Sequence, residues 1–380
     1  MTLLVRNEEE VIAANLDFHL AQGVDIVIVT DNGSTDATRA ILAPYQARGV
    51  VQVIDDPTEA HSQARQVTRM GRLAATDHGA DWVINNDADE FWWPQVGTLR
   101  DVFAPIPDRY GQLLVRRTNF VAPFPGDAPF YRRMVVREAH SLSPRGGTLE
   151  PKVAHRGLPD VRVATGNHTL RHPPLLTVPV PDLVEVFHFP MRSPEQFAQN
   201  VEQTGRAYAR LATRHHEDDG RDQRMLYGLQ RRGELQDWFE ARAPSASDIE
   251  AGVRDGTLVL DRRLEHFIDS REAVPSSDRA RAIVGAALAL AEHAEDLESH
   301  IGELREHIGT LDAHLASTRA AEETLRGAVG ELGAYVEELE ERNAELLHRH
   351  DAVHASLEAV RNSALMRATR PVRRLYYRLR

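Results

Sequence analysis

Trp82-Val83-Ile84-Asn85-Asn86-Asp87-Ala88-Asp89-Glu90-Phe91-Trp92-Trp93-Pro94 is the stretch around which the rest of the chain is read. Trp82 to Ile84 has the β-rich composition of a buried strand, and it runs out into two asparagines and three carboxylates, Asp87, Asp89 and Glu90. Like charges repel, so a folded chain keeps such a cluster where a cation neutralises it or where water solvates it. An Asp-x-Asp triplet taken alone is more often the mark of a solvated acidic loop. Here the apolar strand before it and the aromatic cluster after it place the acids at the edge of a core. A hard divalent ion suits them. Mg²⁺ or Mn²⁺ takes one or two carboxylates and fills its other positions with water and substrate phosphates, which points to a nucleotide diphosphate.

Working back toward the N-terminus, Thr2 to Val5 is a short apolar strand, followed by Arg6-Asn7-Glu8-Glu9-Glu10 and a helix spaced by Val11, Ile12, Leu16 and Leu20. Asn7 is the expected N-cap, with the acids in the first turn. Val24 to Thr30 is a β-branched run suited to a strand buried on both faces, and Asp31-Asn32-Gly33-Ser34-Thr35-Asp36 turns it into a helix through Leu42. Val50 to Ile54 repeats the strand, and Gln63 to Thr76 reads as a helix leading back to Trp82. Strands alternating with helices predict a doubly wound, mostly parallel sheet with ligand sites at the carboxyl ends of its strands. The turns at Asp31 and Asp87 both fall there. A dinucleotide-binding domain shares this pattern, but its glycine fingerprint is absent.

Downstream, Gln112 to Asn119 and Met134 to Arg137 look like strands, joined by a loop containing Pro123, Pro125, Gly126 and Pro129. Residues 141–181, rich in Pro, Gly, His and Arg, read as an irregular segment that covers a site or forms a surface loop. Leu183 to Phe189 is a strand ending in His188-Phe189-Pro190-Met191-Arg192-Ser193. Helices are expected over 194–213 and 221–241, and 248–270 closes the globular part.

From Leu290 to Val360 apolar residues recur in a 3,4 pattern, with Ile301 and Ile308 at a, Leu297, Leu304 and Leu311 at d, and Asn343 at a. That pattern predicts a parallel dimeric coiled coil, a rod of about 105 Å that is weakest at Thr318 and Glu322. This stretch carries 17 acids against 5 arginines, while the last twenty residues carry seven arginines and no acid. The whole chain has a formal charge of −12, which leaves about −7 on the part before residue 290 and argues against a nucleic-acid surface. With no cysteine, thiolate metal sites and cysteine nucleophiles are excluded. No apolar run reaches membrane-spanning length and the N-terminus lacks a signal-peptide layout, so a cytoplasmic protein is expected. The tail intersperses arginines with Leu375, Tyr376, Tyr377 and Leu379, which suits peripheral contact with an anionic membrane at its inner face. The expected organisation is a core over 1–200, a helical remainder over 201–272, a linker and helix start over 273–289, the coil over 290–360 and the basic tail over 361–380.

With the runs in this order, the first 200 or so residues resemble the GT-A family 2 glycosyltransferases. The resemblance is to a bacterial subgroup carrying the runs that stand here as Arg6 to Glu9, Asp31 to Asp36, Asp87 to Phe91, Gly166 to His168 and His188 to Ser193. It implies a GT-A fold and an inverting, metal-dependent transfer of a sugar from a nucleotide-sugar donor to a polysaccharide or glycolipid precursor, a glycan or lipid-linked acceptor. It implies that Asp31 contacts base or ribose, with Arg6 and Glu8 of the first run also on the donor side. Asp87 and Asp89 would hold the ribose and Mn²⁺ or Mg²⁺, with His188 as a late metal ligand. Arg192, Lys152 and Arg156 are candidates for positive charge near the phosphates. A metal on the diphosphate would stabilise the charge that appears as the glycosidic bond breaks. Inversion also needs a base for the acceptor hydroxyl, and His168, Glu185 and Asp182 remain open for that role. Glu185 and His188, three apart on a strand, point to opposite faces. Two other readings stand beside this one. One is a sugar nucleotidyltransferase, whose glycine-rich phosphate loop is absent near the first strand; the other is a coiled-coil scaffold with an inactive head.

Overall fold

The computed structural model describes residues 1–56, 63–121, 127–143, 146–211, 221–270, 275–317 and 322–360. The N-terminal half alternates as the sequence predicts: β1 (Thr2–Val5), α1 (Ile12–Ala21), β2 (Val27–Asp31), α2 (Thr38–Ala47), β3 (Val51–Asp55), α3 (Gln63–Thr76) and β4 (Trp82–Asn86). There follow β5 (Glu90–Pro94), α4 (Leu99–Phe103), β6 (Tyr110–Val115), β7 (Arg117–Asn119), α5 (Phe130–Arg133), β8 (Val136–Glu138) and β9 (Lys152–Arg156). The short strands β10 (Arg162–Val163), β11 (Leu170–His172) and β12 (Leu176–Thr177) lead to β13 (Val184–His188). Then come α6 (Pro194–Leu211), α7 (Arg221–Arg232), α8 (Leu235–Glu240), α9 (Ala246–Asp255), β14 (Leu258–Leu260), α10 (Arg263–Ser270), α11 (Asp278–Ser317) and α12 (Glu322–Val360).

The central sheet has seven strands in the order β12-β6-β9-β4-β1-β2-β3. β3, β2, β1 and β4 are parallel neighbours, and β9 runs antiparallel between β4 and β6. Every residue of β2 is buried, as a β-branched strand covered on both faces requires. The carboxyl ends of β1, β2 and β4 therefore lie side by side. A second sheet, β5-β13-β7, pairs Glu90 with His188 and so brings the late histidine to the acidic turn. Its core is aromatic: Trp93 stacks on Phe187 with ring centroids 5.3 Å apart, and Phe120 on Phe189 at 4.3 Å.

Several expectations are corrected. Asn7 does not cap α1, whose first turn holds no acid; its side chain instead accepts from the Thr35 amide at 2.8 Å. The strand expected over Gln112 to Asn119 is two strands that belong to different sheets. The supposedly irregular 141–181 contains β9, a central strand, because the polar side chains of Lys152 and His155 find partners inside. The helix expected over 221–241 breaks at Gly233, whose φ of 76° a side chain would resist.

The described part of the expected linker is core. Ala280, Val284 and Leu288 of α11 are buried in the main apolar cluster, and Ala287 is buried as well. The fully buried Asp101 accepts from Ser276 Oγ at 2.5 Å, the Ser277 amide at 3.1 Å and Arg281 Nη1 at 2.9 Å, which ties α11 to α4. Beyond residue 290 the expected continuous rod gives way to two helices that pack on each other. A straight helix would separate residues 305 and 340 by about 52 Å, yet Arg305 Nη2 lies 3.5 Å from Glu340 Oε1. Ile301 and Leu339 are the buried seam residues of this fold-back. Among the described residues no helix is long and apolar enough to cross a membrane. The basic tail lies outside the described residues.

Candidate functional site

The first two loops of the sheet interlock. The Asn7 amide donates to Ser34 Oγ at 3.1 Å, the Glu8 amide to Thr38 Oγ1 at 2.8 Å and the Glu9 amide to Asp36 Oδ2 at 3.0 Å, while Glu9 Oε2 accepts from the Ala37 amide at 2.8 Å. Asn7 sits at φ 58°, a left-handed conformation that asparagine tolerates. This lock fixes Asp31, which is buried at the end of β2 and accepts from the Ser34 amide at 2.9 Å and Ser34 Oγ at 2.6 Å. Arg39 Nε is 3.4 Å from its other oxygen. Arg6 lies at the rim and reaches Asn32 Oδ1 at 3.5 Å.

At the end of β4 the acids meet cations built into the chain. Lys152, almost wholly buried, pairs with Asp87 and lies 3.1 Å from Glu90 Oε1. Arg117 Nη1 is 3.5 Å from the same Glu90 oxygen. Burial pushes the Glu90 carboxyl up to about 7, with Lys152 pulling it down and Asp87 adding to the rise. Arg192, equally buried, donates to Glu8 Oε2 at 2.7 Å and Glu10 Oε2 at 3.3 Å, and its Nη1 lies 3.5 Å from Asp89 Oδ2. Glu8 is likewise raised to about 7, first by burial, against the pull of Arg192. Burial also raises Asp89.

His188 faces Asp89, with Nε2 3.8 Å from Oδ2. Asn119 Nδ2 donates to Glu138 Oε2 and to the Leu142 carbonyl, which turns its Oδ1 toward His188 Nδ1 at 2.8 Å. Nδ1 must therefore carry the proton. Burial and the nearby Arg117 hold the ring well below its usual range, so Nε2 presents a bare lone pair to a carboxylate. Two acceptors facing one another fit a cation between them. Among the described residues no group of three or more His, Asp or Glu is placed to hold a metal. A hexacoordinate Mg²⁺ or Mn²⁺ needs no such cage when water and phosphate complete its shell. Asp89 and His188 thus fit a divalent ion, whereas Asp87 is committed to Lys152 and to Asn167, whose Nδ2 donates to Asp87 Oδ1 at 3.1 Å.

The candidate bases separate. His168 shares the site: it follows Asn167, and the positive charge of Lys152 adds to burial in lowering it to about 4. Its Nδ1 donates to the Pro151 carbonyl at 2.8 Å, and Nε2 lies 3.3 Å from Glu150 Oε2. Glu185 belongs to another cluster, accepting from Thr118 Oγ1 at 2.6 Å and lying 3.4 Å from Arg137 and 3.5 Å from Arg263. Asp182 is a half-exposed partner of Arg116. Arg156 sits at the far end of β9, over the Trp82 ring and against the Ile106 carbonyl at 2.7 Å. Sequence reading missed Arg117, Asn119 and Arg133, whose Nη2 lies 3.5 Å from Glu10 Oε1. They bear no motif: Arg117 and Asn119 reach the site because β7 pairs with β13, and Arg133 through α5, where its Nη2 donates to the Arg192 carbonyl at 3.4 Å.

A parallel α/β sheet with a carboxylate at one strand end, and an acid–imidazole pair flanked by buried cations at the next, has the layout of a nucleotide-dependent transferase. The family model described as Glycosyl transferase family 2 matches residues 3–139. That stretch, about a third of the chain, is similar to a family 2 glycosyltransferase domain. Lys152, His168, His188 and Arg192 all lie beyond it. Among solved structures, S. aureus TarS residues 1–349 in complex with UDP-GlcNAc is 14% identical, with 75% of this chain and 90% of that one covered at a TM-score of 0.35. The same protein in complex with UDP is 14% identical over 71% and 91%, at 0.33. A mycobacterial protein is 22% identical over 31% and 40%, at 0.22. With TM-scores below 0.5 these likenesses say nothing of this chain's donor. No curated protein matches the chain.

Proposed function

We propose that the chain transfers a sugar, with inversion, from a nucleoside-diphosphate donor to an acceptor hydroxyl, and that the donor lies across the carboxyl ends of β2, β1 and β4. The observation that carries this reading is the pair of facing acceptors, Asp89 and His188, set between the buried cations Lys152 and Arg192. Asp31, fixed by the interlocked loops, takes the ribose or base side. A divalent ion held by Asp89 and His188 would supply Lewis-acid stabilisation of the departing diphosphate. Lys152 and Arg192 add fixed positive charge in a water-poor corner, where it acts most strongly and needs no reorganisation.

His168 Nε2 takes the acceptor proton. Its Nδ1–H is fixed on Pro151, so the lone pair is on Nε2, and Glu150 stands ready to stabilise the imidazolium that forms. The cations that depress this ring are the ones a bound diphosphate would neutralise, so donor binding brings the imidazole nearer to the range a general base needs.

The test is release of nucleoside diphosphate from a panel of nucleotide-sugars with Mn²⁺ present. The expected result is slow hydrolysis of at least one donor, abolished in Asp89→Ala. Release of pyrophosphate from a nucleoside triphosphate and a sugar phosphate would favour the nucleotidyltransferase instead, and inertness toward every donor would favour a scaffold.

A further inference from the structure

The acidic turn is held from below by side chains that no ligand can reach. Asn15, on the inner face of α1, has no exposed surface, and neither does His19 one turn on. Asn15 Nδ2 donates to the Ala88 carbonyl at 2.8 Å and to the Glu90 carbonyl at 2.8 Å. These two carbonyls flank Asp89. Both amide protons are thereby spent on Asp89's neighbours, and the orientation of the amide is fixed because carbonyls only accept. Asn15 Oδ1 in turn accepts from Asn86 Nδ2 at 3.4 Å and faces His19 Nδ1 at 3.1 Å.

The surrounding bonds close the set. Asn86 Nδ2 also donates to the Glu90 carbonyl at 3.1 Å, and Asn86 Oδ1 accepts from Trp92 Nε1 at 2.9 Å. His19 Nε2 accepts from the Trp92 amide at 3.2 Å. On the other side the Phe189 amide donates to the Asp89 carbonyl at 2.9 Å, next to His188. The turn between β4 and β5 leaves the sheet's ladder, so its carbonyls need partners from elsewhere.

We propose that Asn15 is a positioning residue that, through the Ala88 and Glu90 carbonyls, sets the Asp89 carboxylate opposite His188 for the divalent ion. This rests on the transferase reading above. Removing an outer partner of a metal ligand commonly weakens metal affinity or activity 10- to 100-fold. The full chain is titrated with Mn²⁺ alone, free ion being read by electron paramagnetic resonance, in wild type, Asn15→Ala, Asn15→Asp and Leu16→Ala. Leu16 is a buried neighbour on the same helix with no bond to the turn. Asn15→Asp keeps the volume but loses the forked donor, so it serves should Asn15→Ala not fold.

Both Asn15 variants are expected to weaken Mn²⁺ binding at least 10-fold while Leu16→Ala binds as wild type. Equal weakening in Leu16→Ala, or unchanged binding in the Asn15 variants, overturns the proposal. Hydrogen exchange at Phe189, relative to amides of β3, gives an arm free of metal. It should speed at least 10-fold in the Asn15 variants and not in Leu16→Ala. If wild type binds no Mn²⁺, the metal reading falls by itself and the exchange arm decides whether Asn15 holds the turn.

Discussion

Lys152→Met isolates the contribution of the cation that the fold places among the acids. Lys152 is almost wholly buried between Asp87 and the fully buried Glu90. Removing one partner of a buried ion pair costs about 3 to 5 kcal/mol, because the remaining charge is left uncompensated. Here part of that cost is escapable. Glu90 already titrates at about 7 in the folded chain, above its ordinary value of 4.5, so the native state binds more protons than the unfolded one between those values. Its contribution is therefore fully present below pH 4.5 and is lost as pH rises through 7. Without Lys152 the Glu90 carboxyl titrates higher still, and stability keeps falling above pH 7, by about 1.4 kcal/mol per pH unit, until the new midpoint is passed. At pH 5.5 Glu90 is protonated in both proteins, and the loss is confined to what Asp87, partly solvated, gave up. Urea denaturation at pH 5.5 and 8.5 should show a loss of about 3 to 5 kcal/mol at the higher pH and a clearly smaller one at the lower. Adding Glu90→Gln to Lys152→Met should recover part of the loss at pH 8.5. An equal loss at both pH values, or no recovery in the double variant, would refute the account of this cluster.

Other outcomes follow from the same geometry. Glu185→Gln should keep donor hydrolysis within a few-fold of wild type in kcat/KM, since Glu185 belongs to the Arg137–Arg263 cluster and not to the site; a loss beyond 100-fold would return it to the list of bases. Arg192→Lys should cost at least about 2 kcal/mol in urea denaturation, because one ammonium cannot reproduce a guanidinium forked across Glu8, Glu10 and Asp89. Spin labels at positions 305 and 340 should read a short separation within one chain in magnetically diluted protein. A distance near the roughly 52 Å of a straight helix would restore the continuous rod.

The doubly wound start of the fold was legible because β2 is a β-branched run buried along its whole length, the half-buried edge strand β3 repeats its apolar pattern, and α3 has a clean amphipathic period. β9 was not legible. Lys152-Val153-Ala154-His155-Arg156 sets three polar residues around two apolar ones with no strand alternation, and only the far-off Asp87 and Glu90 explain how a lysine can lie inside. The Asp31 and Asp87 turns announced themselves through composition at strand ends. Asn119 and Arg117 did not, since nothing local distinguishes them from any strand residue. Asn7 was misassigned because an asparagine before acids fits a helix cap, whereas its partner, Thr35, lies on the next loop. The 3,4 repeat after residue 290 is real, but periodicity does not say whether a seam is closed by another chain or by the same chain turning back.

The most direct measurement is thermal unfolding of wild type and Asp89→Ala over a panel of nucleoside diphosphates, each with and without Mn²⁺. A ligand of the native state raises the midpoint by mass action. The account predicts that at least one nucleotide stabilises wild type, that Mn²⁺ enlarges the shift, and that Asp89→Ala loses the Mn²⁺ increment. A panel that leaves wild type unmoved, or an increment that survives in Asp89→Ala, would contradict it.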